Sequence, residues 1–349
     1  MTDATPSWRP DRLGQRLPLL ANRGRILRAL RGWFDSQHFL EVETPALQRS
    51  PGMEVHLKAF ATDIEAPDGT HAPLYLHTSP EFAMKKLLAG GVPRLFQFAR
   101  VWRNGERSDL HHPEFTMLEW YRAEAGYEDL MEDCEALLRT ALASIGATRF
   151  VWRGAVSDPA QPFERLSVAD AFGRYAGIDL LATTPDPQAP DAHALATSAA
   201  SAGIRPRASD TWEDIFFRVI FERIEPHLGF GRPTILYDYP VSMAALSRPK
   251  PDDPRLAERF ELYVCGVEFA NAFGELTDAA VQRRRFEADM ATRRALYGNA
   301  YPIDEDFLAA LAHGLPPCAG IALGFDRLVM LATGADRIDD VLWLPVAQP

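Results

Sequence analysis

The chain has 349 residues, of which 47% are hydrophobic and 24% charged, and 37 Lys and Arg against 48 Asp and Glu give a formal net charge of −11. These proportions are typical of a globular protein with a substantial core and exclude an intrinsically disordered chain. The lack of any apolar run near the roughly 20 residues of a membrane span excludes a membrane role, and the acidic charge disfavours nucleic acid, which proteins bind through basic surface.

Three amphipathic helices and a short strand are predicted in the first 150 residues. Apolar residues at helical spacing behind Asn22, a possible N-cap, predict a helix over Asn22–Phe39, and the alternation over His38–Pro45 predicts a strand. A second helix begins at Ser79-Pro80-Glu81, with Ser79 as N-cap and Pro80 in the first helical position, and ends at Gly90-Gly91. A third lies within Gly126–Gly146.

An antiparallel hairpin with a long loop is predicted between the second and third helices. Leu95–Arg103 and Glu114–Tyr121 read as strands, and the polar segment Asn104–His112 joins them. The period of two along the second strand places its polar and aromatic residues on one face, namely Phe115, Met117, Glu119 and Tyr121. An aromatic ring, a carboxylate and a phenol on one sheet face indicate a binding surface rather than a core.

The second half of the chain predicts an insertion, another hairpin, a long helix and a glycine-rich strand. Thr183–Ser209 is rich in Ala and Pro and is predicted to be a surface insertion or linker, partly helical over His193–Ala202. A hairpin is predicted over Arg255–Glu275, with its turn at Cys265-Gly266. A helix over Leu276–Tyr297 follows, capped by Thr277 or Asp278 and ending at Gly298. Last comes a strand from Ala319 that runs into a helix over Arg327–Leu331. The pattern predicts an α+β fold, with helices on an antiparallel sheet.

The cysteines and the two adjacent histidines do not form a metal-binding pattern. Cys134, Cys265 and Cys318 are far apart and odd in number, which predicts neither a disulfide framework nor a metal cluster and suits a reducing cytoplasm. His111 and His112 lie in the predicted loop without a metal-type partner at useful spacing, so we interpret them as loop or ligand-contact residues. The polar segment from Met1 to Pro10 lacks the apolar core of a signal peptide.

Two arginines stand at positions suited to binding an anion. Arg103 ends a strand before the polar loop, and Arg327 opens a helix after a glycine-rich strand. A guanidinium group binds phosphate oxygens in a bidentate manner, and a helix N-terminus adds a partial positive charge. Gly320 and Gly324 would let a ligand approach the backbone closely. The alternative is that both arginines form surface ion pairs.

Glu261 and Glu268 flank the turn of the second hairpin and are candidate magnesium ligands. Mg²⁺ is commonly held by one or two carboxylates together with substrate phosphates. The alternative is a solvated hairpin edge. On a regular strand, Asn271, Phe273 and Glu275 share one face and Glu268 takes the other, so a β-bulge must intervene if all of them line one pocket.

A group of carboxylates predicts a cationic ligand. Glu81, Glu119 and Glu275, together with Tyr121 and Asn271, would form a pocket in which each unpaired carboxylate is costly to bury. A ligand that carries ammonium groups would offset this cost. The alternative is that each carboxylate is a helix cap or a salt-bridge partner, as acids in a first helical turn often are.

Several segments together resemble the class II aminoacyl-tRNA synthetases. Phe39–Pro45 resembles motif 1, Arg103–Glu119 resembles motif 2, and Gly320–Arg327 resembles motif 3. Thr78–Glu81 and Glu268–Asp278 are similar to the amino-acid-pocket signatures of the lysyl subgroup, and the likeness extends over about residues 20–345. Since no anticodon-binding β-barrel precedes motif 1, the chain looks like a truncated lysyl paralogue.

The resemblance implies a fold, a reaction and partners. Such paralogues activate (R)-β-lysine with ATP and Mg²⁺ and transfer it to a lysine side chain of elongation factor P. We therefore expect a cytoplasmic homodimer with no tRNA partner, in which residues 1–20 are an N-terminal extension. Residues 21–349 would form the catalytic core, with an insertion at about 150–255. The alternatives are activation of α-lysine for a tRNA, and a non-catalytic regulatory paralogue.

The resemblance also implies a role for individual residues. Arg103 and Arg327 would be catalytic, gripping the α- and γ-phosphates of ATP. The ATP contacts would be Arg103, Asn104, Gly105, His112, Phe115 (stacked on adenine), Glu268, Phe269, Gly324 and Arg327. The amino-acid contacts would be Ser79, Pro80, Glu81, Glu119, Tyr121, Asn271, Phe273, Glu275 and Ala322. The Mg²⁺ ligands would be Glu261 and Glu268. The chain departs from the family twice: Gly105 followed by Glu106 replaces a glutamate after Arg-Asn, and Ala322 replaces a glycine of the lysyl-tRNA synthetases.

Overall fold

The computed structural model describes residues 6–347. Its strands, in chain order, are β1 Leu40–Glu41, β2 Leu47–Gln48, β3 Phe60–Glu65, β4 His71–Leu76, β5 Arg94–Trp102, β6 Glu114–Ala123, β7 Phe150–Trp152, β8 Ala155–Ser157, β9 Glu164–Ser167, β10 Thr234–Pro240, β11 Leu256–Val264, β12 Val267–Gly274 and β13 Cys318–Gly324. The helices are α1 Pro10–Ser36, α2 Glu81–Ala89, α3 Tyr127–Ser144, α4 Val168–Ala176, α5 Ala192–Ser201, α6 Trp212–Val219, α7 Ala279–Tyr297, α8 Glu305–Gly314 and α9 Phe325–Thr333.

An eight-stranded sheet organises the molecule. Its strand order is β1-β5-β6-β13-β12-β11-β10-β9, and every pair from β5 to β10 is antiparallel, whereas the two edge pairs are parallel. Helices cover this sheet, which confirms the predicted α+β class. The hairpin β5–β6 and the hairpin β11–β12 were both predicted, and β13 pairs with one strand of each.

The alternation of side chains along β6 separates the core from the site. Leu118 and Trp120 are fully buried in a core that also takes apolar residues of α1, α3 and α9. Met117, Glu119 and Tyr121 point to the opposite face, where they line a cavity. The period of two therefore places a hydrophobic set on one face and a polar set on the other, as predicted.

The first helix is longer than predicted. α1 begins at Pro10 and extends through Pro18, so the expectation of a start at Asn22 was wrong. Pro10 suits the first helical position because its missing N–H has no partner there in any case. The Asn22 side chain accepts a hydrogen bond from Arg25 (3.2 Å) instead of capping a helix.

The interval 150–255 contributes both to the main sheet and to a second core. β9 and β10 extend the sheet, while α4, α5 and α6 enclose their own apolar cluster. The predicted helix within Thr183–Ser209 is present as α5. That segment is more than a surface linker, because Leu195 and Ala199 are fully buried in this cluster.

The three cysteines lie apart from one another in the core. Cys134, Cys265 and Cys318 are buried and unpaired with one another. Within residues 6–347, no helix combines the length and the apolarity that crossing a membrane requires.

Candidate active site

Three neighbouring strands supply the floor of the site. The register of β6, β13 and β12 aligns Tyr121 with Gly320 and Phe273 in one row, and Glu119 with Ala322 and Asn271 in the next. A Cβ at Gly320 would overlap the Tyr121 ring, so a glycine is required for this close approach. The floor is therefore built by residues that are distant in sequence but opposite one another across the ladder.

A cavity of about 380 Å³ lies on this floor. Most of the predicted site residues line it: Ser79, Glu81, Arg103, His112, Phe115, Glu119, Tyr121, Glu268, Phe269, Asn271, Phe273, Ala322, Gly324 and Arg327. The wall does not include Pro80, Asn104, Gly105, Glu261 or Glu275. Glu106, the residue after Gly105, does line the cavity. A glutamate is therefore present at the site, one position later than in the family.

A β-bulge in β12 brings Glu268 to the same face as Asn271. On β11 and β12, Leu262 pairs with Ala270 and Tyr263 pairs with Glu268, so Phe269 is the extra residue. The bulge reverses the alternation at this point, which brings Glu268 to the face that carries Asn271. Both residues line the cavity as a result.

One end of the cavity is acidic. The Ser79 hydroxyl donates to Glu119 Oε1 (2.5 Å), and the Tyr121 hydroxyl donates to Glu119 Oε2 (3.1 Å). Ser79 also accepts a hydrogen bond from the Glu81 N–H (3.0 Å) at the start of α2. Burial, followed by the neighbouring charge of Glu81, raises the pKa of Glu119 to about 8.

Lys85 is a site residue that the sequence analysis missed. Its ammonium group is buried with only 1% of the side chain exposed, lies 2.6 Å from Glu275 Oε2 and forms a second ion pair with Glu81. Burial alone would lower the pKa of Lys85, but the carboxylates of Glu275 and Glu81 raise it above its usual value. The spacing of four between Glu81 and Lys85 was a signal for this pair, although such pairs commonly lie on helix surfaces.

The acidic end therefore has a definite charge when its groups are ionised. Three carboxylates (Glu81, Glu119 and Glu275) surround one ammonium group (Lys85), which leaves two negative charges uncompensated. Buried charges are costly unless they are paired. The arrangement is suited to a ligand that brings two ammonium groups.

The other end of the cavity carries two arginines. Arg327 donates to the Glu268 carbonyl (2.8 Å) and to His111 Nε2 (2.7 Å), which orients its guanidinium group. Burial and the charges of Arg327 and Arg103 lower the pKa of His111 to about 4, so this ring is a neutral acceptor. Arg103 lies over the Phe115 ring at 5.3 Å from its centroid. Two guanidinium groups in one cavity are suited to binding phosphate.

Two carboxylates beside the arginines could hold a divalent cation. Burial and the nearby charge of Glu261 raise the pKa of Glu268, and a cation between the two groups would relieve this repulsion. Glu261 is held by the hydroxyls of Tyr239 and Tyr263, each at 2.7 Å. Across residues 6–347, no cluster of three or more acidic, histidine or cysteine side chains has metal-binding geometry. Mg²⁺ is commonly held by only one or two carboxylates, together with substrate phosphates and water.

His112 borders the cavity and is also held by two backbone groups. Its Nδ1 donates to the Glu114 carbonyl (2.6 Å), and its Nε2 accepts from the Val346 N–H (3.1 Å). The ring therefore ties the loop after β5 to the C-terminal segment. Although it also borders the cavity, both of its nitrogens are engaged by the backbone.

Comparisons with known proteins agree with this geometry. A family model described as class II tRNA synthetases (D, K and N) matches residues 13–348. A protein of Sodalis glossinidius named elongation factor P–(R)-β-lysine ligase is 40% identical to this chain over 348 residues, which is 98% of each chain. A Salmonella dublin protein of the same name is 40% identical over 342 residues, or 97% of each chain.

Proposed function

The chain belongs to the class II tRNA synthetases (D, K and N), and its relatives are named elongation factor P–(R)-β-lysine ligases. We propose that it activates (R)-β-lysine with ATP and transfers it to a lysine side chain of elongation factor P. The observation that carries the proposal is the polarity of the cavity. An end that carries two uncompensated negative charges once its carboxyl groups are ionised suits the two ammonium groups of β-lysine, and an end with two arginines suits ATP.

The first half-reaction follows from these two ends. The amino groups bind at Glu81, Glu119 and Glu275, which directs the substrate carboxylate towards the arginines. This carboxylate is ionised at neutral pH and attacks the α-phosphorus without a general base, and pyrophosphate leaves. Arg103 and Arg327 stabilise the negative charge that spreads over the phosphate oxygens. Positioning and charge neutralisation are the main requirements of such an in-line displacement.

We extend the proposal to the individual contacts predicted from sequence. The adenine ring would stack on Phe115 and lie near Glu106, Phe269 and Gly324. Glu261 and Glu268 would hold Mg²⁺, which when bound neutralises charge on the phosphates of ATP. Asn104 and Gly105 would also contact ATP, and Pro80 would contact the amino acid; the family resemblance alone supports these three roles.

We also propose the organisation and location of the protein. The segment around β1 and the end of α1 resembles motif 1 of the family, which supports a homodimer. The net charge of −11 supports the absence of a tRNA partner, and the three unpaired, buried cysteines support a cytoplasmic location. The division into an extension (1–20, of which residues 1–5 lie outside the described part), a core (21–349) and an insertion (about 150–255) remains part of this proposal.

The test of the proposed function is ATP–pyrophosphate exchange with α-lysine and (R)-β-lysine in parallel, followed by transfer to elongation factor P or to tRNA. We expect exchange with (R)-β-lysine and labelling of elongation factor P. Exchange with α-lysine and charging of tRNA would support a synthetase instead. A lack of exchange with either amino acid would indicate a non-catalytic paralogue.

We expect the affinity for the amino acid to rise with pH from about 6.5 to about 8.5. The raised pKa of Glu119, about 8, means that this carboxyl holds a proton at neutral pH until an ammonium group binds. Binding must expel the proton below that pKa, so the affinity should change by up to about tenfold per pH unit there and level off above it. The measurement is the amino-acid Kd as a function of pH. Glu119→Gln should reduce the slope above about pH 7, whereas Glu275, whose pKa burial raises to about 7, still contributes below that pH. An unaltered slope in the variant would contradict the prediction.

We expect Ala322→Gly to weaken the preference for (R)-β-lysine over α-lysine by roughly tenfold or more, as for the loss of one methyl contact in a shaped pocket. Ala322 lies between Glu119 and Asn271 in the ladder, so its methyl group restricts where an amino group can sit. The ratio of kcat/KM for the two isomers measures the effect. Ala319→Gly, on the same strand but facing the core, is the matched control. Equal preference in wild type and Ala322→Gly would refute this role.

A further inference from the structure

Glu54 is a cavity residue that neither the motifs nor the predicted elements indicated. It lies in the loop between β2 and β3 and lines the cavity, as Leu57 and Ser79 also do. Its Oε2 atom is buried, and no side chain or backbone group of residues 6–347 forms a hydrogen bond with it. A buried carboxylate oxygen without a partner is costly, which indicates that a donor is supplied by a bound molecule.

The charges that face Glu54 locate it within the site. The charges of Glu81 and Lys85, at the amino-acid end, and of Arg103, at the phosphate end, all act on the Glu54 carboxyl, and Glu54 in turn acts on Asp289 of α7. The substrate carboxyl must lie between these two ends, because it joins the amino acid to AMP in the adenylate. Because charges of both ends act on Glu54, a position beside the reacting carbonyl group fits its surroundings.

Charge balance indicates which donor Glu54 receives. The carboxylates of Glu81, Glu119 and Glu275, offset by Lys85, already match the two ammonium groups of β-lysine. Glu54 adds one more carboxylate to the cavity wall after these are paired. This carboxylate can take one more cationic donor, and the lysine side chain that accepts the β-lysyl group supplies one.

We propose that Glu54 binds the ammonium group of the acceptor lysine and takes its proton during transfer. This inference rests on the proposed function. The acceptor nitrogen gives a proton to Glu54 and attacks the adenylate carbonyl carbon. A C–N bond forms, the bond from that carbon to the phosphate oxygen breaks, and AMP leaves with the electron pair. The nitrogen then loses its second proton to solvent, which leaves a neutral amide.

The local electrostatics suit this proton transfer. Burial, followed by the charge of Glu81, raises the pKa of Glu54, whereas Arg103 and Lys85 oppose the rise. A carboxylate with a raised pKa is a stronger base than an ordinary surface carboxylate. The approach of a cationic lysine lowers that pKa again, so the group is ionised when the acceptor arrives.

The test compares the two half-reactions in wild type and Glu54→Gln, which keeps the shape of the side chain. Adenylate formation is measured by ATP–pyrophosphate exchange and by trapping with hydroxylamine, an amine that is already unprotonated at neutral pH. Transfer is measured by labelling elongation factor P. We expect the ratio of protein transfer to hydroxylamine trapping to fall about 100-fold or more, in the range for loss of a general base. The deficit should shrink as the pH approaches the acceptor lysine's own pKa, about 10.4.

Each other outcome has a distinct meaning. A higher KM for β-lysine in exchange with an unchanged ratio would overturn the inference and place the substrate's own ammonium group at Glu54. An unchanged ratio together with an unchanged KM would also overturn the inference about Glu54. Failure of the wild type to label elongation factor P would instead refute the proposed function. Glu213→Gln is the control and should leave the ratio unchanged. Glu213 is an exposed acid whose charge also acts on Asp289, but it lies outside the cavity wall.

Discussion

Arg327→Ala should reduce the rate of adenylate formation about 1000-fold or more while the Kd for the amino acid changes little. The loss corresponds to removing an arginine that stabilises a phosphoryl-transfer transition state. Arg327 is already oriented by the Glu268 carbonyl and by His111, so the wild-type enzyme has little reorganisation to make when charge develops. The amino groups bind at the opposite end of the cavity and do not contact it.

The measurement is ATP–pyrophosphate exchange for the rate and calorimetric titration of the amino acid for the affinity. Arg283→Ala is the matched control, because Arg283 forms an exposed pair with Glu305 and lies outside the cavity wall. This control should retain its exchange rate. A loss of less than about tenfold in Arg327→Ala would show that Arg327 is not a principal phosphate contact.

Asp326→Ala should lower the free energy of unfolding by about 3–5 kcal/mol, the usual cost of leaving a buried charge without its partner. Asp326 is 1% exposed and accepts hydrogen bonds from the Arg23 guanidinium and from the Thr116 N–H (2.7 Å). Arg23 is also buried and donates to the Thr116 hydroxyl (3.0 Å). The substitution would leave the guanidinium group of α1 uncompensated between β6 and α9.

Unfolding in urea measures this effect. Glu305→Ala is the control, because it removes one partner of an exposed ion pair and should cost less than about 1 kcal/mol. A similar, small loss in both variants would contradict the prediction and indicate that the Arg23–Asp326 pair is replaceable. Because Asp326 directly precedes Arg327, this network also holds the start of α9 in place beneath the phosphate end of the cavity.

Local patterns were sufficient for much of the framework. The two hairpins, the helix α7 with its Asp278 cap and Gly298 terminus, and the polar face of β6 all follow from periodicity and capping. Spacing along β12 also indicated that Glu268 could join Asn271 in one pocket only through a β-bulge, and the register of β11 and β12 has one there. Chain neighbours a few residues apart determine these features, and so a single segment contains the information for each.

Other expectations failed where a distant segment decides the outcome. α1 begins at Pro10, well before Asn22. In this added part Leu20 is fully buried, and Arg16 donates to the carbonyl of Leu342, which lies 326 positions further along the chain (2.5 Å). The Ala- and Pro-rich segment over Thr183–Ser209 reads as a linker, yet Leu195 and Ala199 have a core to enter once α4 and α6 are folded beside them.

The amino-acid sequence alone was enough to determine the α+β class, the motifs and most of the residues that line the cavity, because these depend on short-range periodicity and residue chemistry. Only the tertiary structure decided how their charges balance. Lys85 becomes part of the site because Glu275, from a strand end 190 positions further along the chain, folds within 2.6 Å of it. Glu54 also becomes a site residue only in the folded chain, because the loop that carries it has no motif and yet borders the cavity. Electrostatic interactions act through space, and therefore the pKa values and pairings emerge only when the distant segments meet.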